Sequence, residues 1–177
     1  MSLDTGPSII SASPGSEHVD RMLAIICSKG NLDLAYPGLI LAKAALDDGV
    51  RTHLFFTFWG IDLIRKSRMN DLKVTPTGNT ANHLALGHLQ VPQALTPLPG
   101  MQAIATRRMK RQIADQGVPE VPDLLEQIAR SGGHLWACQL TADMMHLDLD
   151  DLHDRVDDII STADFVELTG SAQLLFL

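Results

Sequence analysis

Short apolar runs that stop abruptly and give way to helix-start chemistry constrain this chain more than any other feature. Met22–Cys27 is continuously apolar and is stopped by Ser28, Lys29, Gly30 and Asn31. His134–Cys138 is followed at once by Gln139, Leu140, Thr141, Ala142 and Asp143. Short runs of this kind suit strands buried on both faces, as in a parallel sheet flanked by helices. Residues 51–57 form another such run, with Leu54, Phe55 and Phe56 inside.

Helical patterns separate the runs. Over residues 32–48, Leu34, Gly38, Leu41 and Ala45 recur at helical spacing, Tyr36 and Pro37 fall in the first turn, and Gly49 stops the helix. Trp59 and Gly60 turn the second strand into a short helix over residues 61–66, and residues 72–75 read as a short third strand. A helix over residues 122–130 has proline in its first turn and Ser131-Gly132-Gly133 after its end. Past Cys138 the pattern predicts a short helix over 141–145, a turn near Arg155 and Val156, a helix over 158–168 closed by Gly170, and a buried strand over 172–177.

Strands alternating with helices predict an α/β fold: a three-layer, doubly wound, mostly parallel sheet of about five strands. In such sheets ligands bind beyond the carboxyl ends of the strands, where Cys27, Trp59 and Cys138 all fall. Two segments stand outside this alternation. Residues 1–20, with Pro7 and Pro14, read as a flexible arm lacking the basic start and apolar stretch of a secretory signal. Residues 77–119 interrupt the single domain expected over 21–177 with Pro92, Pro97, Pro99 and Pro119, the profile of a lid or binding loop.

Within that lid one helix is expected, over residues 101–116. Met101, Ile104, Ala105 and Met109 make an apolar stripe that packs on the core or on a neighbouring subunit. Arg107, Arg108, Lys110 and Arg111 cluster near its centre. Such a cluster is commonly a solvated face; its functional alternatives are attraction of an anionic ligand and docking of an acidic partner.

A net charge of −7 makes the chain a poor general binder of nucleic acid or anionic membranes. No run is long enough to span a bilayer. Two cysteines give no disulfide framework and suit a reducing cytosol, so a cytoplasmic location is expected.

Cys138 is the leading candidate nucleophile. A thiol between a strand's carboxyl end and a helix amino end sits in a positive field that favours the thiolate. Thr141 or Asp143 is placed to cap that helix, and a nearby Asp143 carboxylate would oppose the thiolate. The alternative is a small apolar residue closing a buried strand. For Cys27 the structural role is the better fit. The loop Ser28, Lys29, Gly30 and Asn31 can offer N–H groups to an anion, though an ordinary strand-to-helix turn explains it as well.

Metal chemistry is not expected. His83 and His88 are five apart, off the spacing that aligns two ligands on one helical face, and nothing requires His134, His146 or His153 to approach Cys138. The acidic run Asp148, Asp150, Asp151, Asp154, Asp157 and Asp158 lacks the glycine and glutamate of a calcium loop. No cofactor is expected either.

Several segments together resemble one family. Cys27 to Ala35 is similar to the first loop of the DsrE/DsrF/DsrH-like family. Phe55-Phe56-Thr57-Phe58-Trp59-Gly60 and the following residues to Lys66 look like the second strand of its larger DsrE-type branch. Leu98-Pro99-Gly100-Met101, followed by the basic cluster, resembles that branch's lid. Ala137-Cys138-Gln139 through Met145 looks like its cysteine motif, and Leu174 to Leu177 fits its last strand. The resemblance covers residues 22–177. It implies a doubly wound α/β domain that assembles into homo-oligomers, with Cys138 holding sulfur as a persulfide and relaying it between donor and acceptor proteins or small sulfane-sulfur compounds. Cys27, Thr141, Asp143 and Trp59 are the candidates for supporting that cysteine. Cys27 departs from the pattern, since many relatives have no cysteine there. The expected function is therefore a sulfur carrier or sulfurtransferase-like protein. Its rivals are a non-catalytic domain binding a small anion, or an oligomeric assembly domain, each with a structural cysteine.

Overall fold

The structure, a computed structural model, describes residues 21–75, 85–86, 89–90 and 98–177. Strand β1 (Met22–Cys27) leads through helix α1 (Leu32–Asp47) to β2 (Arg51–Phe56) and a 3-10 helix, Phe58–Leu63. A small antiparallel pair, β3 (Ala85–Leu86) and β4 (Leu89–Gln90), precedes α2 (Met101–Asp115) and α3 (Val121–Arg130). The chain then runs through β5 (His134–Cys138), α4 (Gln139–Met145), β6 (Asp158–Ile160), α5 (Thr162–Leu168) and β7 (Gln173–Phe176).

Five of these strands form one all-parallel sheet in the order β6-β5-β2-β1-β7. The register sets Cys27 beside Phe56, Phe56 beside Ala137, and Cys138 beside Ile160. These strand ends thus lie level at one edge, and the turns and helices leaving them meet there. The sheet is clad on both faces. Ile25, Leu54, Phe56 and Leu135 point into a main core with Leu39 of α1, Leu124, Leu125 and Ile128 of α3, and Ala105 of α2. On the opposite face Ala24, Phe55 and Cys138 gather around Phe165 of α5, whose ring stacks on Phe55 at 4.5 Å. Burying each such aliphatic or aromatic side chain stabilises the fold by about 1.5–3 kcal/mol.

Several sequence expectations shift by identifiable physics. Pro37 is the sixth residue of α1, not in its first turn. Its ring lies on the exposed side of the helix while Gly38 and Leu39 face the core. The short helix after β2 starts at Phe58 and is 3-10 in type. Residues 72–75 form no strand; Lys73 instead accepts a hydrogen bond from the Leu32 N–H, and the Val74 N–H donates to Thr106 Oγ1. The expected helix over 158–168 begins only at Thr162, because Asp158–Ile160 pairs with β5 as an edge strand. Ser161 and Asp164 then form a reciprocal capping box, which starts the helix. β7 is not buried: Leu174 and Phe176 are 65% and 66% exposed, since β7 lies at the sheet edge beyond β1. In α2 the packed face is Ala105, Met109 and Ile113, while Ile104 is 44% exposed. Residues 1–20, His83, His88 and most of residues 77–97 lie outside the described residues.

Candidate functional site

The level strand ends bring three threonines to one thiol. Thr57 directly follows β2, Thr141 sits in the first turn of α4 beyond β5, and Thr162 opens α5 beyond β6. Cys138 is the last residue of β5 and the N-cap of α4. Burial pushes its thiol up, but hydrogen bonds from the Thr57, Thr141 and Thr162 hydroxyls and the Thr141 backbone N–H outweigh it. The net effect holds Cys138 below the ordinary thiol value of 9.0. Only 2% of the residue is exposed, and the thiol lies between the apolar cluster of Ala24, Phe55 and Phe165 and the hydroxyls at the sheet edge.

Thr141 joins the elements of the site. Its Oγ1 accepts from the Phe58 N–H at 2.9 Å and lies 3.4 Å from Thr57 Oγ1. Phe58 has a positive φ of 47°, a left-handed conformation that costs an aromatic residue and persists only where its surroundings impose it. The bond to Thr141 is one such restraint. The elements that flank the thiol expose apolar side chains: Phe58 and Trp59 of the 3-10 helix and Leu140 and Met144 of α4 are 52%, 63%, 61% and 58% exposed.

Thr141→Val tests this assembly. Valine keeps the shape but removes a hydrogen bond to the sulfur and the acceptor for the Phe58 N–H. The pH midpoint of Cys138 alkylation by iodoacetamide is expected to rise, because the thiolate loses a stabilising donor. An unchanged midpoint would mean that Thr141 does not tune the thiol.

Cys27 is a different kind of thiol. It packs in the main core, and burial alone pushes it up to about 12. Both cysteines are free. They lie on opposite faces of the sheet with β2 between their strands. Asp143 is exposed and is not one of the groups bonded to the Cys138 sulfur. His134 stands at the other end of β5, stacked on His53 at 4.8 Å and 3.5 Å from Asp157. His146 ends α4 in a left-handed conformation, and the His153 N–H is tied to the Ile64 carbonyl. None of these histidines is a hydrogen-bond partner of the thiol. Among the described residues no group of three or more His, Cys, Asp or Glu is placed to hold a metal ion.

The proposed anion-binding residues divide between two neighbouring cavities. Gly30, Asn31 and Trp59 line one of about 310 Å³, together with Asp62, Arg68, Lys73 and Gln102. Arg107, Lys110 and Arg111 line one of about 520 Å³. Ser28 is tied to the chain end, with both its N–H and its hydroxyl donating to the Leu177 carbonyl. Lys29 is exposed, and neither it nor Arg108 lines either cavity.

Thr57 and Thr162 escaped the sequence reading. The signal available for them was position: Thr57 directly follows β2 and Thr162 comes two residues after β6, the two strands flanking β5, where a doubly wound sheet gathers its site. Thr106 also escaped it. Its hydroxyl donates to the Gln102 carbonyl at 2.7 Å and accepts from the Val74 N–H, fastening α2 to the segment that follows the 3-10 helix.

Comparison with known proteins agrees with this architecture. The chain is 35% identical over 155 residues to the sulfur carrier protein DsrE2 of Allochromatium vinosum, spanning 87% of this chain and 96% of that one. It is 24% identical to the uncharacterized protein YrkE of Bacillus subtilis, over 77% of this chain and 84% of that one. A protein of unknown function from Methanobacterium thermoautotrophicum, MTH1491, shares the fold with a TM-score of 0.55 at 12% identity, covering 89% of this chain and all of that one. The model of the DsrE/DsrF/DrsH-like family matches residues 19–176, and the chain belongs to that family.

Proposed function

We propose that this protein is a sulfur carrier that holds sulfane sulfur as a persulfide on Cys138 and relays it to a partner. The observation that carries the proposal is the ring of hydroxyls around Cys138, which favours its thiolate while leaving Cys27 the only other thiol and an inert one. Similarity to a named sulfur carrier over nearly the whole chain supports it.

The chemistry requires no change of oxidation state overall. The Cys138 thiolate attacks the outer sulfur of a donor persulfide, forming the Cys138–Sγ–S⁻ persulfide and releasing the donor thiolate. An acceptor thiolate then attacks that outer sulfur, forming its own persulfide and regenerating the Cys138 thiolate. Thiosulfate serves equally as donor, with sulfite leaving. The three threonine hydroxyls and the Thr141 N–H stabilise the Cys138 thiolate, the attacking group when sulfur is loaded and the leaving group when it is passed on. The exposed apolar rim of Phe58, Trp59, Leu140 and Met144 suits a transient protein partner that excludes water during transfer.

Because Cys138 is nearly covered, loading requires a local opening. The elements around it are short: α4 and α5 are seven residues each, and the 3-10 helix is six. Such elements open at low cost. The same burial favours a second reading, in which Cys138 is a structural residue of an anion-binding or assembly domain. The two separate on one measurement. Reduced protein exposed to thiosulfate or a low-molecular-weight persulfide should gain whole sulfur atoms in intact mass and lose them to reductant or to an added acceptor thiol. No gain, together with slow alkylation of the native protein, would overturn the carrier assignment.

A further inference from the structure

We propose that the groove between α2 and residues 68–73 is the docking site for an extended acidic segment of a partner protein. The two cavities adjoin at Asp71 and Lys73, which line both, and we read the pair as a channel reaching from Trp59 and Gly30 at the sheet edge to Ala114 on α2. The α2 wall is Ala103, Thr106, Arg107, Lys110, Arg111 and Ala114, a single helical face. From Ala103 to Ala114 it extends about 16 Å. That is far longer than a thiosulfate or phosphate ion, and it matches about five residues of extended chain.

The charge is local and one-sided. In a chain of net charge −7, five of the fourteen basic residues line this channel: Arg68, Lys73, Arg107, Lys110 and Arg111. The acidic residues lining it are Asp62 and Asp71, and both are paired within the wall, Asp62 with Arg68 at 3.6 Å and Asp71 with Lys73. Lys110 donates to the Asn70 carbonyl at 3.1 Å. Arg107 and Arg111 are exposed and make no hydrogen bond or ion pair with a described residue. Two guanidinium groups one turn apart, unpaired among the described residues, are suited to carboxylates presented along an extended backbone.

The channel also leads towards the chemistry. Trp59 lines its near end and belongs to the same 3-10 helix as Phe58, whose N–H is bonded to Thr141 at the thiol. A segment docked along α2 would bring its parent protein over the edge where Cys138 sits. What that partner exchanges rests on the sulfur-carrier proposal; the docking does not.

The test is fluorescence anisotropy with a labelled peptide of alternating Glu and Gly, titrated with reduced full-length protein. The peptide is expected to bind wild type and Cys138→Ser alike, and a Lys-Gly peptide of equal length is expected not to bind. Arg107→Glu/Arg111→Glu should weaken binding about tenfold or more at low ionic strength, and about 0.3 M salt should abolish it. Thiosulfate at about 1 mM and constant ionic strength should not displace the peptide, since it spans only part of the groove. Equal binding by wild type and the double variant would overturn the proposal. Displacement by millimolar thiosulfate would overturn it in favour of a small-anion site. Loss of sulfur loading with intact peptide binding would count against the carrier assignment alone.

Discussion

Cys138→Ser is expected to abolish sulfane-sulfur loading completely, whereas Cys27→Ser is expected to load like the wild type. The contrast comes from where the two thiols lie. Cys138 is held below the ordinary thiol value by three hydroxyls and a backbone N–H at the sheet edge, after burial has pushed it the other way. Cys27 is pushed up to about 12 by burial in the main core, so at neutral pH it is a thiol and not a nucleophile. Neither can substitute for the other. Their strands are separated by β2, which places them about 10 Å apart across two strand spacings, beyond the reach of about 7 Å for disulfide bonding. They also face opposite sides of the sheet. Serine at Cys27 would bury a hydroxyl in an apolar cluster and cost about 1–3 kcal/mol of stability, read as a lower urea midpoint, without touching the loading chemistry. Intact mass after donor treatment decides the matter. Loading on Cys138→Ser, or its loss on Cys27→Ser with circular dichroism unchanged, would move the carrier site away from β5.

Most of the sheet was legible because its strands are buried on both faces and announce themselves as apolar runs. Met22–Cys27 is apolar throughout, Arg51–Phe56 and His134–Cys138 become so after a polar start, and the glycine after α1 marks its end through a positive φ of 72° at Gly49. The edge strands were harder. Asp158–Ile160 has only three residues and runs straight into a helix, so the apolar pattern alone joins the two. The Ser161–Asp164 box that separates them was present in the sequence as a serine followed three residues later by an acid. At the site, Cys138 was legible from the strand-to-helix junction, but its hydroxyl ring was not. Thr57, Thr141 and Thr162 are about twenty residues or more apart in the chain and converge only because the parallel register levels their strands. The channel along α2 was visible only as a basic cluster. Its other wall, from Arg68 to Lys73, needed the fold to bring it opposite.

Gly60→Ala is expected to be the most damaging single-methyl substitution at this edge. A Cβ at residue 60 would stand 2.0 Å from the Cys27 carbonyl oxygen and 2.6 Å from its carbon. These are backbone atoms at the end of β1, and they cannot swing aside as a side chain would. The Cys27 oxygen already accepts from the Thr57 N–H at 3.0 Å, while the Gly60 N–H donates to the Thr57 carbonyl at 2.9 Å. Making room for the methyl group therefore pulls on the junction that carries Thr57 and Phe58 to the thiol. A cost of about 3 kcal/mol or more is expected, a large share of the stability of a domain this size. The functional effect should accompany it: as Thr57 and the Phe58–Thr141 bond shift, the alkylation midpoint of Cys138 should rise as it does in Thr141→Val. Gly170→Ala is the control, since a Cβ there meets nothing nearer than 3.5 Å. If the two alanine variants unfold at the same urea concentration, the close packing of the 3-10 helix on β1 does not hold the site together.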